Sequence, residues 1–183
     1  DATAPETLVV VDEAYGEFSD VDSAIPLVDD RDDVAVLRTF SKAYGLAGLR
    51  IGYSVVPEAW GEAYARVNTP FAANELACRA ALAALDDEGH VEQSVESASW
   101  AREYIADELD APTVDSAGNF VLAAVGDGER VAEAAQERGV IIRDCTSFGL
   151  PEHVRISTGT REETREAVAL LNETLADLGL GVR

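Results

Sequence analysis

The chain has 183 residues, 47% of them hydrophobic and 27% charged, enough to bury a core in one domain or two small ones. Its 35 acidic residues against 14 basic ones give a formal net charge of −21. Nucleic acid and anionic membrane surfaces repel such a chain and are excluded as partners.

The acids are interleaved with Ala, Val and Leu rather than gathered in a tail. A dispersed acidic surface of this kind fits a protein from a salt-loving organism, where high ionic strength screens the self-repulsion. Among the basic residues Lys42 is the only lysine. Cys78 and Cys145 have no metal-ligand spacing and define no disulfide framework, so no metal site and a reducing, cytoplasmic location are expected. No secretory leader pattern is seen, and no apolar run approaches the ~20 residues that span a bilayer.

In chain order, Leu8 to Val11 is a continuous apolar run, expected as a strand buried on both faces of a parallel sheet. Val34 to Leu37 and Ile51 to Val56 are two more. Pro57 stops the last of these, and Glu58 to Arg66 suits a short helix. The Ala- and Leu-rich stretch from Asn74 to Leu85 predicts a helix. His90 to Leu109 predicts a long polar-faced helix with Val95, Trp100, Tyr104, Ile105 and Leu109 available for its apolar stripe, and Pro112 beyond its end.

After it the pattern changes. Phe120 to Val125 reads as a strand, Glu129 to Arg138 as a helix closed by Gly139, and Val140 to Ile142 and Val154 to Ile156 as strands. Thr160 then opens the final helix, with Glu163 completing a capping box. Leu170, Leu171, Leu175 and Leu178 form its apolar face, and Gly179 ends it. The fold class expected is α/β. Residues 1–88 form a mostly parallel sheet with helices, and residues 89–183 a linking helix with a small α+β domain.

Chemistry concentrates in Arg38 to Tyr53, Arg-Thr-Phe-Ser-Lys-Ala-Tyr-Gly-Leu-Ala-Gly-Leu-Arg-Ile-Gly-Tyr. This loop follows one buried strand and precedes another, so it lies where ligands bind open α/β sheets, outside the carboxyl ends of the strands. Thr39, Ser41 and Arg50 offer two hydroxyls and a cation, a suitable set for a phosphate. Between them Lys42 can form a Schiff base once burial and neighbouring charge lower its pKa. Upstream, Val9 to Tyr15 (Val-Val-Val-Asp-Glu-Ala-Tyr) puts Asp12 at the end of an apolar strand, where an aspartate alone is more often a cap or turn residue.

These motifs together resemble the cofactor-lysine signature of fold-type I pyridoxal-phosphate aminotransferases, in the branch that contains histidinol-phosphate aminotransferase. The resemblance implies pyridoxal 5'-phosphate as cofactor, linked to Lys42, with its phosphate held by Thr39, Ser41 and Arg50. It implies Asp12 on the pyridinium nitrogen, keeping the ring electron-withdrawing, and Tyr15 on the ring hydroxyl. His153 to Thr160 (His-Val-Arg-Ile-Ser-Thr-Gly-Thr) resembles the strand whose arginine, here Arg155, clamps the substrate carboxylate. Asn119 matches a family position near that carboxylate. Arg143 reads on sequence alone as a rim arginine paired with Asp144; the resemblance implies a ligand of the substrate phosphate instead. His90 and His153 lack partners at useful spacing and read as structural or surface residues.

The resemblance covers nearly the whole chain but only the C-terminal part of the family. A glycine-rich phosphate loop, a ring-stacking aromatic residue and an asparagine, all upstream in family members, are not found. The chain is expected to be incomplete, to leave an apolar surface uncovered and to turn over poorly alone. The implied reaction is amino transfer between glutamate and imidazole-acetol phosphate by a homodimeric complete enzyme. The rivals are decarboxylation of threonine phosphate, by a cobalamin-synthesis enzyme with the same motifs, and a truncated paralogue with a non-catalytic role.

Overall fold

The computed structural model describes residue 4 and residues 7–180. It divides between Glu92 and Gln93 into two compact units. Among the described residues there are seven strands and six α-helices.

The first unit holds β1 (Val9–Asp12), α1 (Ile25–Asp30), β2 (Val34–Thr39), β3 (Gly52–Val55), α2 (Gly61–Val67) and α3 (Glu75–Leu85). The strands form one sheet in the order β1-β2-β3. β1 runs parallel to β2, with Val9 opposite Val34 and Asp12 opposite Leu37. β3 returns antiparallel, with Thr39 opposite Gly52. Parallel pairing requires a crossover, which residues 13–33 provide, with α1 packed on the sheet. Val28 of α1 meets Val34 and Val36, and Val9, Val11, Ile25 and Val55 close round them.

β2 is apolar for the reason given by its sequence: Val34, Ala35 and Val36 are all buried. β1 departs from the expectation of burial on both faces. It is an edge strand, and Val10 is half exposed because nothing in the described part of the sheet covers that side. The same holds for α2 and α3. Val67, Leu76 and Leu82 are largely exposed, and of α3 only Ala77 and Ala81 are buried. Asn74 caps α3 by accepting the Ala77 N–H at 2.8 Å. Beyond Pro57 the expected short helix begins with a 3-10 turn, Glu58–Trp60, and continues as α2.

The helix α4 (Glu88–Glu108) runs through the division. The second unit continues with β4 (Thr113–Val114), β5 (Phe120–Ala124), α5 (Gly128–Glu137), β6 (Arg143–Asp144), β7 (His153–Ser157) and α6 (Arg161–Leu178). Its sheet has the order β4-β5-β7-β6, and every pairing is antiparallel. Alternation sets its two faces. Val121, Ala123, Val154 and Ile156 point into a core closed by Ile105, Val131, Ala135, Val168, Leu171 and Leu175. Phe120, Leu122 and Arg155 take the other face.

Of the stripe expected along α4, Ile105 and, just past the helix, Leu109 enter the core with Tyr104 packed against it. Ala98 and Ala101 are buried as well, while Trp100 stacks on Tyr104 at 5.1 Å and lies under the guanidinium of Arg165 at 5.1 Å. The strand expected at Val140–Ile142 is a correction. Val140 spends its N–H on the Ala135 carbonyl in the closing turn of α5, and Ile141 is 82% exposed. Ladder pairing begins only at Arg143, opposite Arg155.

At the N-terminus of α6, Thr160 and Glu163 form the expected capping box. Gly179 ends the helix at φ +67, a left-handed conformation with no penalty for a residue lacking Cβ. Truncating Leu175, 1% exposed, to Ala should cost about 2–5 kcal/mol. Thr160→Ala should cost only about 1 kcal/mol. Urea unfolding at high salt checks the ranking, and equal losses would contradict this account of the core.

Candidate active site

Parallel pairing of β1 and β2 brings their carboxyl ends to the same edge of the first sheet. Asp12 closes β1 and Thr39 closes β2, and the lysine loop, residues 40–51, springs from the same edge. Asp12 Oδ1 accepts the Ala14 N–H at 3.0 Å. This turn bond is what a strand-end aspartate makes by default, and it also fixes the start of the turn that presents Tyr15. Lys42 is half-buried, and its Nζ stands 5.0 Å from the centroid of the Tyr15 ring. Lys42 and Tyr15 are thus brought together, and Asp12 sits at the start of the turn that carries Tyr15.

The loop is folded on itself by short-range bonds. Leu46 donates to the Phe40 carbonyl at 2.9 Å, Gly45 to the Lys42 carbonyl at 2.9 Å, and Phe40 to the Ile51 carbonyl at 3.2 Å. Phe40 is buried and packs on Tyr44, ring centroids 4.9 Å apart. Thr39 Oγ1 donates to Ser41 Oγ at 3.0 Å and accepts the Ser41 N–H at 3.1 Å, so the two hydroxyls form one cluster. Thr39 Oγ1 also lies 3.4 Å from the Ile51 carbonyl, next to Arg50 in the chain. Arg50 is left-handed at φ 52, and its Nη1 donates to the Ala47 carbonyl at 2.8 Å. A non-glycine residue held at positive φ is uncommon and concentrates where a site fixes the backbone.

Beneath this edge lies a charged group that sequence reasoning missed. Arg38 places Nη2 2.8 Å from Glu13 Oε2 and Nη1 2.9 Å from Glu17 Oε1, with only 11–17% of the three side chains exposed. Glu13 also accepts from Ser23 Oγ at 2.9 Å and from the Ala24 N–H at 2.6 Å. Burial pushes the Glu13 carboxyl up, but the Ala24 amide, the Ser23 hydroxyl and Arg38 together outweigh it and hold the group below its ordinary range. Burial also raises the Tyr44 phenol, helped by Glu17 and Tyr53. The signal was present in the sequence: an arginine inside a strand that is otherwise apolar, and a second acid directly after Asp12.

In the second unit, Arg155 and Arg143 face each other across β7 and β6. Directly opposed residues of an antiparallel pair share a face, and like charges so placed repel. Arg155 lies over the Phe120 ring at 5.4 Å, and its Nε is buried without a hydrogen-bond partner among the described residues. Arg143 does not pair with Asp144. Asp144 Oδ1 accepts from Thr146 Oγ1 at 2.7 Å, while Arg143 lies over the Phe148 ring at 5.6 Å with Ser147 Oγ at 3.5 Å. The rim-pair alternative fails because a turn two residues on captures the carboxylate. Two guanidiniums on one open sheet face, one with an orphaned donor, suit an anion.

Asn119 offers its backbone carbonyl to Thr158, N–H at 2.9 Å and Oγ1 at 3.1 Å. Arg102 steadies the same loop through the Gly118 carbonyl at 2.8 Å, a contact no sequence motif pointed to. Cys145 is buried, and burial raises its thiol despite Arg155 and Arg143 nearby. His153 is half-buried and His90 exposed. No cluster of potential metal ligands occurs among the described residues.

The profile of the family described as aminotransferase class I and II matches residues 2–171. The chain belongs to that family. It is 91% identical over 183 residues to a protein named histidinol-phosphate aminotransferase from Halorubrum lacusprofundi, covering all of this chain and 50% of the relative. It is 69% identical over 176 residues to the protein of that name from Haloarcula marismortui, 96% of this chain and 49% of the other. The crystal structure of histidinol-phosphate aminotransferase from Sinorhizobium meliloti in complex with pyridoxal-5'-phosphate is similar at a TM-score of 0.84 and 32% identity, over 94% of this chain and 50% of that one. The chain thus spans about half the length of the relatives it matches.

Glu13 sets a pH dependence. Its carboxyl titrates near 4.5 when unperturbed and lower in the folded chain, so its contribution is complete above that value and is lost as pH falls through the folded pKa. Melting of Glu13→Gln against the parent should show the largest deficit near neutral pH and a shrinking one below pH 4.5. A deficit that grows in acid would reverse the assignment.

Proposed function

We propose that this chain carries the lysine and substrate-anion parts of a pyridoxal-phosphate-dependent histidinol-phosphate aminotransferase. The observation that carries the reading is Lys42, the chain's only lysine, standing over Tyr15 at the sheet edge that Asp12 and Thr39 share. The donor set fits the cofactor: an amine for its aldehyde, paired hydroxyls and Arg50 for its phosphate, and a carboxylate for its ring nitrogen. When bound, that cofactor supplies an electron-withdrawing ring that makes the α-hydrogen of an amino acid acidic.

The chain's own residues do the rest. Lys42 Nζ anchors the cofactor and, as a free amine, takes the α-proton of the donor and returns a proton later. Asp12 keeps a proton on the ring nitrogen. Tyr15 holds the ring hydroxyl, while Thr39, Ser41 and Arg50 hold the phosphate. In the substrate-binding part, residues 89–183, Arg155 takes the carboxylate as a bidentate clamp and Arg143 the substrate phosphate, relieving their mutual repulsion. Asn119 borders the carboxylate.

The substrates proposed are L-histidinol phosphate and imidazole-acetol phosphate, with glutamate and 2-oxoglutarate as the second pair. The names of the haloarchaeal relatives support this choice over the threonine-phosphate decarboxylase reading. The complete enzyme is proposed to be a cytoplasmic homodimer. No helix among the described residues is long and apolar enough to cross a membrane.

The test co-expresses this chain with the half of the Halorubrum relative that it does not cover, in multimolar salt. Borohydride reduction with pyridoxal phosphate should label Lys42, and Lys42→Ala should lower amino transfer by at least about 10²–10⁴-fold. Carbon dioxide release from threonine phosphate without amino transfer would refute the reading. Loss of one charge-assisted contact in Arg155→Gln should raise the glutamate KM by about 10- to 100-fold, and an unchanged KM would remove Arg155 from the site.

A further inference from the structure

Arg38 lies on β2, four residues before Lys42, and its guanidinium holds the turn that carries Asp12 and Tyr15 from both sides. Glu13 precedes Tyr15 by two residues and Glu17 follows it by two. One planar fork therefore fixes both shoulders of the turn, and a planar fork has little freedom of its own. The fit is close: a Cβ on Gly16 would sit 3.5 Å from Arg38 Cζ and Nη1. A methyl group at Gly16 would therefore just touch the guanidinium.

The turn's own bonds are all short-range. Asp12 Oδ1 takes the Ala14 N–H at 3.0 Å, Gly16 donates to the Glu13 carbonyl at 3.0 Å, Phe18 to the Tyr15 carbonyl at 3.1 Å and Ser19 to the Gly16 carbonyl at 3.2 Å. Glu13 N–H reaches the Leu37 carbonyl at 2.9 Å, which ties the first shoulder to β2. Among the described residues no backbone bond ties Glu17 to that strand, and its side chain reaches β2 through Arg38.

The arrangement is costly for a purely structural element. Two carboxylates share one guanidinium, and Glu17 Oε2 and Arg38 Nε are buried without hydrogen-bond partners among the described residues. Apolar side chains of similar volume often hold a fold at least as well as a buried ion cluster. What apolar packing lacks is direction, and a directed fork sets where Tyr15 stands relative to Lys42.

We propose that Arg38, acting through Glu13 and Glu17, is a positioning residue that sets Asp12 and Tyr15 against Lys42 and so governs capture of the carbonyl cofactor. The inference rests on the function proposed above. The guanidinium of Arg38 is engaged by Glu13 and Glu17, so its effect passes through them.

The test uses the co-expressed assembly described above, with Arg38→Gln, Arg38→Lys, Glu17→Gln and, as control, Arg31→Gln, which removes the ion pair with Asp33 near the start of β2. Three quantities are measured: affinity for pyridoxal phosphate, the pH midpoint of the bound cofactor's visible band, and melting without cofactor. Arg38→Gln should weaken affinity by about 10-fold or more and shift the midpoint by about 0.5 unit or more. Arg38→Lys, which restores charge but not the fork, should recover only part of both. Arg31→Gln should match the parent in affinity and midpoint.

A lower melting temperature in Arg38→Gln with parental affinity and midpoint would overturn the proposal, since a purely structural role predicts that pattern. If Arg38→Gln does not fold, Glu17→Gln decides: a smaller change in the same two quantities supports the proposal, and parental values overturn it. Failure of the parent itself to bind pyridoxal phosphate would refute the proposed function and this inference together, whereas parental binding with unaffected variants refutes the inference alone.

Discussion

The parallel ladder between β1 and β2 is the constraint on which the candidate site depends. Four paired residues, from Val9 with Val34 to Asp12 with Leu37, bring segments from opposite ends of a crossover into register. Because the strands run the same way, both end at one edge, and the chemistry leaving each strand meets there. An antiparallel arrangement of the same two segments would have put Asp12 and Lys42 at opposite edges. The buried Val34, Ala35 and Val36 hold this register, since a one-residue slip would turn the apolar set of β1 away from α1.

The second unit solves a different problem with a different sheet. Antiparallel pairing lets one face bury Val121, Ala123, Val154 and Ile156 under helices while the other carries Phe120, Leu122 and Arg155. Arg155 and Arg143 come to that second face from strands β7 and β6, and the pairing register places them opposite each other. Repulsion between them is tolerated because aromatic rings flank both, Phe120 and Phe148. The core thus sits behind a face on which two like charges stand opposite each other.

Acidic residues dominate the chain, yet the ion pairs that matter are few and local. Glu75 with Arg79 and Glu62 with Arg66 are exposed pairs one helical turn apart and contribute little. Glu13 and Glu17 with Arg38 differ from them in being sheltered and in bracketing a site residue. Exposed apolar residues on α2 and α3, such as Val67 and Leu76, agree with a chain that spans half the length of its relatives.

The sequence by itself determined the elements whose signal is local. The capping box at Thr160, the apolar run of β2 and the lysine loop all depend on neighbours within a few residues, so the order of side chains was sufficient. Asp12, Tyr15 and Lys42 stood out through motifs that resemble a family's, and the structure sets Lys42 over the Tyr15 ring. Tertiary structure decided the rest. Val140–Ile142 looks like a strand, but pairing needs a partner in register, and the end of α5 claims the Val140 N–H first. Arg143 could have met Asp144, but the turn at Thr146 takes that carboxylate. Arg38 gave no motif because its partners lie 21 and 25 residues away in the chain, and only the parallel ladder brings them within hydrogen-bonding reach.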